Sequence, residues 1–420
     1  MHDLSNRSHP LRASLSAEMH VRRLPRFASP CRLLQVVTLL GDAAARESRA
    51  YIEDIATAHG QTIATASRYA VLPIGPFTLV WEGHTEFASF TLILAGAFAD
   101  PFDTGVFDGE AASILIGLPG QVIRATQIAV LRHPAGMPPR ETLATWFDPS
   151  AIVVCDVAEG NARIASDFML HPDGFGRLLI DDISLEGDEA AQLVVRLQEL
   201  GNYRNMALLG LPMAQQLTPE VTAIEARLSA LTHEVSERST NDDALLDELT
   251  SVAAELARLV ATTRYRMSAT RAYAELSMER LRSLGIGAVR GFQTLADFTE
   301  RRLVPAVRTC ASFSNRLEDL SQRTAWTSSL LRTRIDIALA KQNRDLLESM
   351  DRRTQLQLRL QQAVEGLSVV AISYYLVSLI GYLAYPAGAE AKPYIVAGAV
   401  PVVMLAVWWM ARRLRKGFAE

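Results

Sequence analysis

The sequence predicts an α+β cytoplasmic domain, followed by long α-helices and a C-terminal two-helix transmembrane hairpin. Three observations predict this order. Up to about residue 185, short apolar runs bounded by turn residues alternate with helical spacing. Helical periodicity without strand signals then continues to about residue 365. Finally, segments 366–385 and 393–411 carry no charge, and each is close to the roughly 20 residues that cross a bilayer core. The expected divisions are 1–185 for the cytoplasmic α/β domain and 186–365 for a long-helix, coiled-coil-like region. The hairpin then occupies 366–411 and a basic cytoplasmic tail 412–420.

Composition agrees with a folded chain that includes an apolar end. Of 420 residues, 49% are hydrophobic and 21% charged, too apolar for a disordered chain. Mean hydropathy is +0.11, high for a purely soluble protein. The net charge of -4 gives no global basic field, so nucleic acid is not an expected partner. Cys31, Cys155 and Cys310 lie far apart with no CxxC, which predicts no disulfide framework and a reducing compartment. Residues 1–30 are charged throughout, so no secretory signal is expected there.

Ser8 suits the N-cap of a helix over 9–19, with Leu11, Leu15 and Met19 at helical spacing. The apolar run 32–40 predicts a buried strand, and 42–59 a helix ended by Gly60. Strand patterns cover 77–81, 86–95, 122–131, 152–157 and 162–170. His171-Pro172-Asp173-Gly174 has the type I arrangement, Pro second and Gly fourth. It should close a hairpin onto a strand over 175–181. Cys155, in VVCDV, reads as core.

Beyond residue 189, Pro212 breaks an early helical segment. Thr218 and Pro219 then suit the N-cap and first position of a helix running to about residue 238. Ser239-Thr240-Asn241 reads as a turn, with an uninterrupted helix as the alternative. The helical pattern reaches residue 284, where Gly285, Gly287 and Gly291 predict a helix–helix turn. Their spacing fails the dinucleotide pattern. A helix over 294–310, kinked at Pro305, is expected next. The last long helix starts near 312, with Leu317, Leu320, Leu331, Ile335, Leu346, Met350, Leu360 and Val364 at coiled-coil-like spacing. At 1.5 Å per residue its soluble part reaches roughly 80 Å and calls for partner helices, in this chain or another.

The two uncharged segments read as membrane spans rather than as core helices. Tyr382, Tyr385, Tyr394, Trp408 and Trp409 lie near their ends, as interfacial belts require. Arg352, Arg353 and Arg359 precede the first, and Arg412, Arg413, Arg415 and Lys416 follow the second. The short connection holds only Lys392. This asymmetry predicts a multi-pass protein with both termini cytoplasmic.

HPLRASLSAEMH (9–20), WEGHTEF (81–87), SDFMLHPDGFGRLL (166–179) and MDRRTQLQLRLQQAVEGLSVVAISYYLVSLIGYL (350–383) resemble an uncharacterised family of bacterial membrane-anchored proteins. The resemblance implies a place in the bacterial inner (plasma) membrane and no particular reaction. In architecture the chain also resembles the CorA-type magnesium channels. Those end their first span with Gly-Met-Asn, whereas this chain has Gly381-Tyr382-Leu383. Only the glycine matches, and the missing Asn is an ion-facing group in that family. This resemblance implies a homo-oligomer and a divalent cation as possible partners, beside the lipid bilayer.

Several constellations merit placement in the fold. His84 and Glu86, two apart, would share one strand face, where they form either a metal or proton-exchange pair or a hydrogen-bonded surface. His171 and Asp173 fall in the proposed turn. Asp181, Asp182, Glu186, Asp188 and Glu189 form an acidic stretch that suits either oxygen ligation of a divalent cation or a helix start. In the first span, Gln361, Glu365, Ser368, Ile372, Tyr375, Leu379 and Tyr382 recur at helical spacing. Glu365, Ser368, Tyr375 and Tyr382 are the candidate lining of a cation pathway, or else a helix-packing face. No nucleophile, phosphate loop or resident metal set emerges, so neither an enzyme nor a cofactor is expected. The expectation is a membrane-anchored scaffold or interaction protein, with a CorA-like oligomeric divalent cation channel or transporter as the alternative.

Overall fold

The computed structural model describes residues 8–9, 11–12, 24–41, 44–64, 67–132, 136–237, 241–384, 388 and 392–417. Most of the helix expected over 9–19 and the turn expected at Ser239-Thr240 lie outside them. The chain is a mixed α+β protein with long helices and two apolar helices at its C-terminal end. It forms two compact units: Met1–Arg238 with Asp247–Ala325, and Ser239–Leu246 with Trp326–Glu420.

The first unit is built on a sheet. Its strands are β1 (Cys31–Leu39), β2 (Tyr69–Ile74), β3 (Phe77–Gly83), β4 (Phe87–Ala95), β5 (Gln121–Arg132), β6 (Val153–Val157), β7 (Ala162–Ser166), β8 (Gly176–Asp182) and β9 (Gly287–Ala288). Among the described residues they form one sheet in the order β2-β3-β4-β1-β5-β8-β7-β6-β9. The named pairs are antiparallel except β5 with β8. The helices are α1 (Ala44–Ala58), α2 (Glu110–Ile116), α3 (Arg140–Trp146), α4 (Glu189–Leu208), α5 (Gly210–Ser236), α6 (Asp242–Arg282), α7 (Leu295–Leu383) and α8 (Lys392–Gly417).

Central β1 shows why its apolar residues fall on both faces. Leu33 packs with Ile128, Ile164 and Ile180 under Leu193, Leu197 and Leu200 of α4. Its neighbour Leu34 packs with Leu79 and Phe90 against Ile52 and Ile55 of α1 and Ile114 of α2. A strand covered on both faces has no polar side to alternate. Farther along, Ala129, Val154 and Leu179 meet Leu143 of α3 and Phe147. Cys155 is fully buried in the α4-side core, as its sequence context suggested.

The β7–β8 hairpin forms through the expected turn. Gly174 N–H donates to His171 O at 2.9 Å, and Asp173 Oδ1 accepts from Phe175 N–H at 3.0 Å. However, β7 stops at Ser166 instead of 170, because Phe168 turns to φ +54° and leaves the extended region. β2 was not anticipated. Pro73 argues against a central strand, but β2 is an edge, where the missing N–H costs no ladder bond.

The helical half departs from expectation at three places. α5 starts at Gly210, so Pro219 is interior to it and not at its first turn. The Thr218 hydroxyl donates to Ala214 O at 2.6 Å instead of capping a new helix. The glycines 285–291 do more than connect helices: Gly287 and Ala288 add β9 to the edge of β6. Finally, no boundary separates a 294–310 helix from one starting at 312. α7 is one helix of 89 residues that carries Pro305 inside it. Its start is capped by Thr294, whose Oγ1 accepts from Asp297 N–H at 3.1 Å and donates to Asp297 Oδ2 at 2.7 Å.

In the second unit, Arg334 pairs with Asp242 at 2.7 Å. The apolar ends of α7 and α8 bury Ser373 on one helix, Ala384 just past its end, and Val403 and Val407 on the other. Nearly all remaining side chains of these segments face outward. In the 18-residue apolar windows of the two helices, 6% and 11% of residues are buried.

Candidate functional site

His84 and Glu86 do not share a strand face. β3 ends at Gly83 and β4 begins at Phe87, so both residues sit in the connecting turn, where the two-residue alternation lapses. The His84 ring stacks on Phe87 with centroids 4.1 Å apart. Glu86 turns inward to an ion pair with Arg266 of α6. Burial, and then the Glu86 carboxylate, push the Tyr273 hydroxyl above the usual phenol range. The arrangement is a structural lock between the sheet and α6. His171 lies 3.1 Å from Asp167, a fully buried carboxylate that also accepts from Asp148 N–H at 2.8 Å and Met169 N–H at 3.0 Å.

The acidic stretch is spread over separate tasks. Asp182 accepts from the Ser29 hydroxyl at 2.7 Å and from Leu185 N–H at 3.0 Å. Asp188 pairs with Arg26, and Glu189 accepts from Glu186 N–H at 3.0 Å, closing the start of α4. Asp181 is buried in β8. Among the described residues no group of three or more His, Cys, Asp or Glu gathers around a common point.

On α7, Ser368, Tyr375 and Tyr382 are exposed and Glu365 is half-buried. The Glu365 carboxylate accepts from Gln361 Nε2 at 3.2 Å, and Ser368 donates to Val364 O at 2.8 Å. None of the four belongs to the buried set Ser373, Ala384, Val403 and Val407.

The site with the most unresolved chemistry was not anticipated. A cavity of about 280 Å³ lies on the α4 side of the sheet, at the start of β5 and β8. Register explains its lining. Arg124, Thr126 and Ile128 alternate on one face of β5, and Thr126 pairs with Gly176 of β8. From α4, Leu197, Leu200, Gly201 and Arg204 recur at helical spacing and face them. The Arg124 guanidinium lies against Gly201, where an added Cβ would come within 2.7 Å of it. Glycine is what lets α4 sit this close.

Both arginines are held by neutral groups. Arg124 Nη1 donates to Gln35 Oε1 and, at 3.0 Å, to Asn202 Oδ1. Gln35 in turn donates to Ser89 Oγ at 2.8 Å. Arg204 lies with Cζ 4.8 Å from the Phe168 ring centre, Phe168 stacks on Phe298 at 4.5 Å, and Arg302 covers Phe298 at 4.0 Å. Arg204 Nη1 is sealed from solvent and makes no hydrogen bond among the described residues. Burial, and then the charge of Arg204, push Arg124 down to about 9. Burial, and then Arg302, push Arg204 down to about 10. Both stay charged at neutral pH, and no carboxylate among the described residues balances them.

The sequence held a trace of this site. An arginine on the same strand register as Ile128, and another continuing the Leu197–Leu200 stripe of α4, are both out of place in an apolar core. Each alone is one charged residue in an amphipathic pattern, and only the fold makes them neighbours.

No curated protein matches this chain. A family model described as protein of unknown function (DUF3422) matches residues 7–418, and with nearly the whole length covered, the chain belongs to that family.

Proposed function

We propose that this protein is anchored in a bacterial inner membrane by a C-terminal hairpin, with residues 1–365 on the cytoplasmic side in a scaffold or interaction role and no enzymatic one. What carries this reading is the exposure of the two apolar helices. Their windows average a hydropathy of 1.8, yet almost none of their residues are buried. A core helix of that hydropathy would be covered by the rest of its domain, and in water the uncovered apolar surface is costly at roughly 25 cal/mol per Å². The bilayer supplies the missing cover. Seven basic residues flank the pair and one, Lys392 at the start of α8, stands between the two apolar segments, which orients both termini to the cytoplasm. A reporter active only in the periplasm, fused after Glu420, should stay silent in cells whose membrane fraction holds the protein. A periplasmic signal, or protein washed from membranes at high pH, overturns the reading.

A second reading, an oligomeric CorA-like cation pathway, is favoured by one observation. Ser368, Tyr375 and Tyr382 stay exposed beside the packed residues of α7 and α8. A polar face left uncovered within one hairpin is available to further copies.

A further inference from the structure

The cavity beneath α4 holds a charge imbalance that the fold itself leaves open. Arg124 and Arg204 bring two guanidinium groups to it, and Arg302 stands behind the Phe168–Phe298 pair. Both arginines are half-buried; holding a partly dehydrated cation against apolar walls without a counterion is unfavourable, and a chain needing only packing here would carry Met or Leu in the same volume. The neutral partners Gln35 and Asn202 engage one nitrogen of Arg124, and the sealed Nη1 of Arg204 engages nothing among the described residues. Asp167, next in sequence to Phe168, is committed to Asp148, Met169 and His171. Phe168 holds a left-handed backbone, a costly conformation for an aromatic residue, and its ring packs over Arg204.

We infer that this cavity binds a small organic anion, with one carboxylate or phosphate head on Arg204 and Arg124 and a short apolar body along Leu197, Leu200 and Leu295. A guanidinium fork matches either oxyanion in a bidentate manner. Thr126 adds a hydroxyl to the polar end. At about 280 Å³ the space lies at the small end of ligand sites, suited to a short-chain acid or phosphate monoester and too small for a nucleotide or a two-chain lipid. The site lies within the first unit, so it stands whether or not the hairpin is a tether.

The test uses the full chain in a neutral detergent, with calorimetric titration and thermal unfolding. The probes are hexanoate, hexyl phosphate, inorganic phosphate and, as the uncharged control, hexanol. Hexanoate or hexyl phosphate should bind and raise the melting temperature, hexanol should do neither, and inorganic phosphate should bind more weakly than hexyl phosphate. Arg204→Met should weaken binding about ten- to a hundredfold, the worth of a charge-assisted hydrogen bond. Without a probe it should melt at or above the wild-type temperature, because the uncompensated cation is gone. Arg204→Lys keeps the charge but not the fork, so it should fold normally and bind roughly tenfold more weakly. The inference falls if the wild type ignores both six-carbon anions, if hexanol acts as they do, or if both Arg204 variants bind like the wild type. Inorganic phosphate binding as tightly as hexyl phosphate would overturn the assignment of the apolar wall.

Discussion

At Glu86 the chain buries a carboxylate in a turn and answers it with Arg266 from a helix 180 residues away. Both side chains are largely covered, 11% and 14% exposed. A pair of this kind stabilises little compared with apolar residues of the same shape, but breaking it leaves one charge stranded. Arg266→Met should therefore cost about 3–5 kcal/mol, read as a lowered denaturation midpoint. Adding Glu86→Gln removes the stranded charge and should recover much of that loss. A double variant no more stable than Arg266→Met would mean that Arg266 acts through packing alone. The turn shows the limit of reading faces from spacing. His84 and Glu86 share a face only if both are extended, and β3 ends at Gly83, before either of them.

At the scale of elements, most of the sheet was legible because burial on two faces leaves a plain signal. Cys31–Leu39 and Phe87–Ala95 are mostly apolar with apolar residues on both faces, and the Pro-Asp-Gly turn fixed the β7–β8 pairing. The edge strand β2, whose Pro73 reads as a strand breaker, and the two-residue β9, too short to show a period and held by the sequence-distant β6, were not legible. Helix ends misled for a related reason. Pro219 carries a strong local signal for a helix start, yet α5 runs through it from Gly210. On α7 the face beginning at Glu365 is the element where the cation-pathway reading is decided. A carboxylate ring at a pore mouth concentrates cations through its local field. Glu365→Gln keeps the size and removes the charge, so fold should hold while uptake of Mg²⁺, Co²⁺ or Ni²⁺ into proteoliposomes falls. Tyr382→Phe should have a smaller effect and Val370→Leu almost none. Wild-type flux no higher than that of empty liposomes removes this reading and leaves the tether, while unchanged flux in Glu365→Gln means that the chosen face is wrong.

For the whole molecule, the division into units predicts what survives without the hairpin. The sheet of the first unit is covered on one face by α4 and the start of α7, and on the other by α1, α2 and α3. Leu295 and Phe298 supply the α7 contribution, and both precede residue 326. Among the described residues, nothing in that core comes from the apolar ends of α7 and α8. A chain ending at Arg353 should therefore leave the membrane fraction, remain soluble without detergent and unfold cooperatively. Its far-UV circular dichroism should be dominated by helix, because α4, α5, α6 and the first part of α7 outweigh the strands in length. The Arg266–Glu86 lock and the arginine cavity both lie ahead of the cut, so the shortened chain should also keep its response to hexanoate or hexyl phosphate. A soluble product with a strand-dominated spectrum would contradict the helical assignment from Glu189 onward. A product that unfolds without a cooperative transition would show that the first unit depends on the hairpin, and the two-unit description would fail with it.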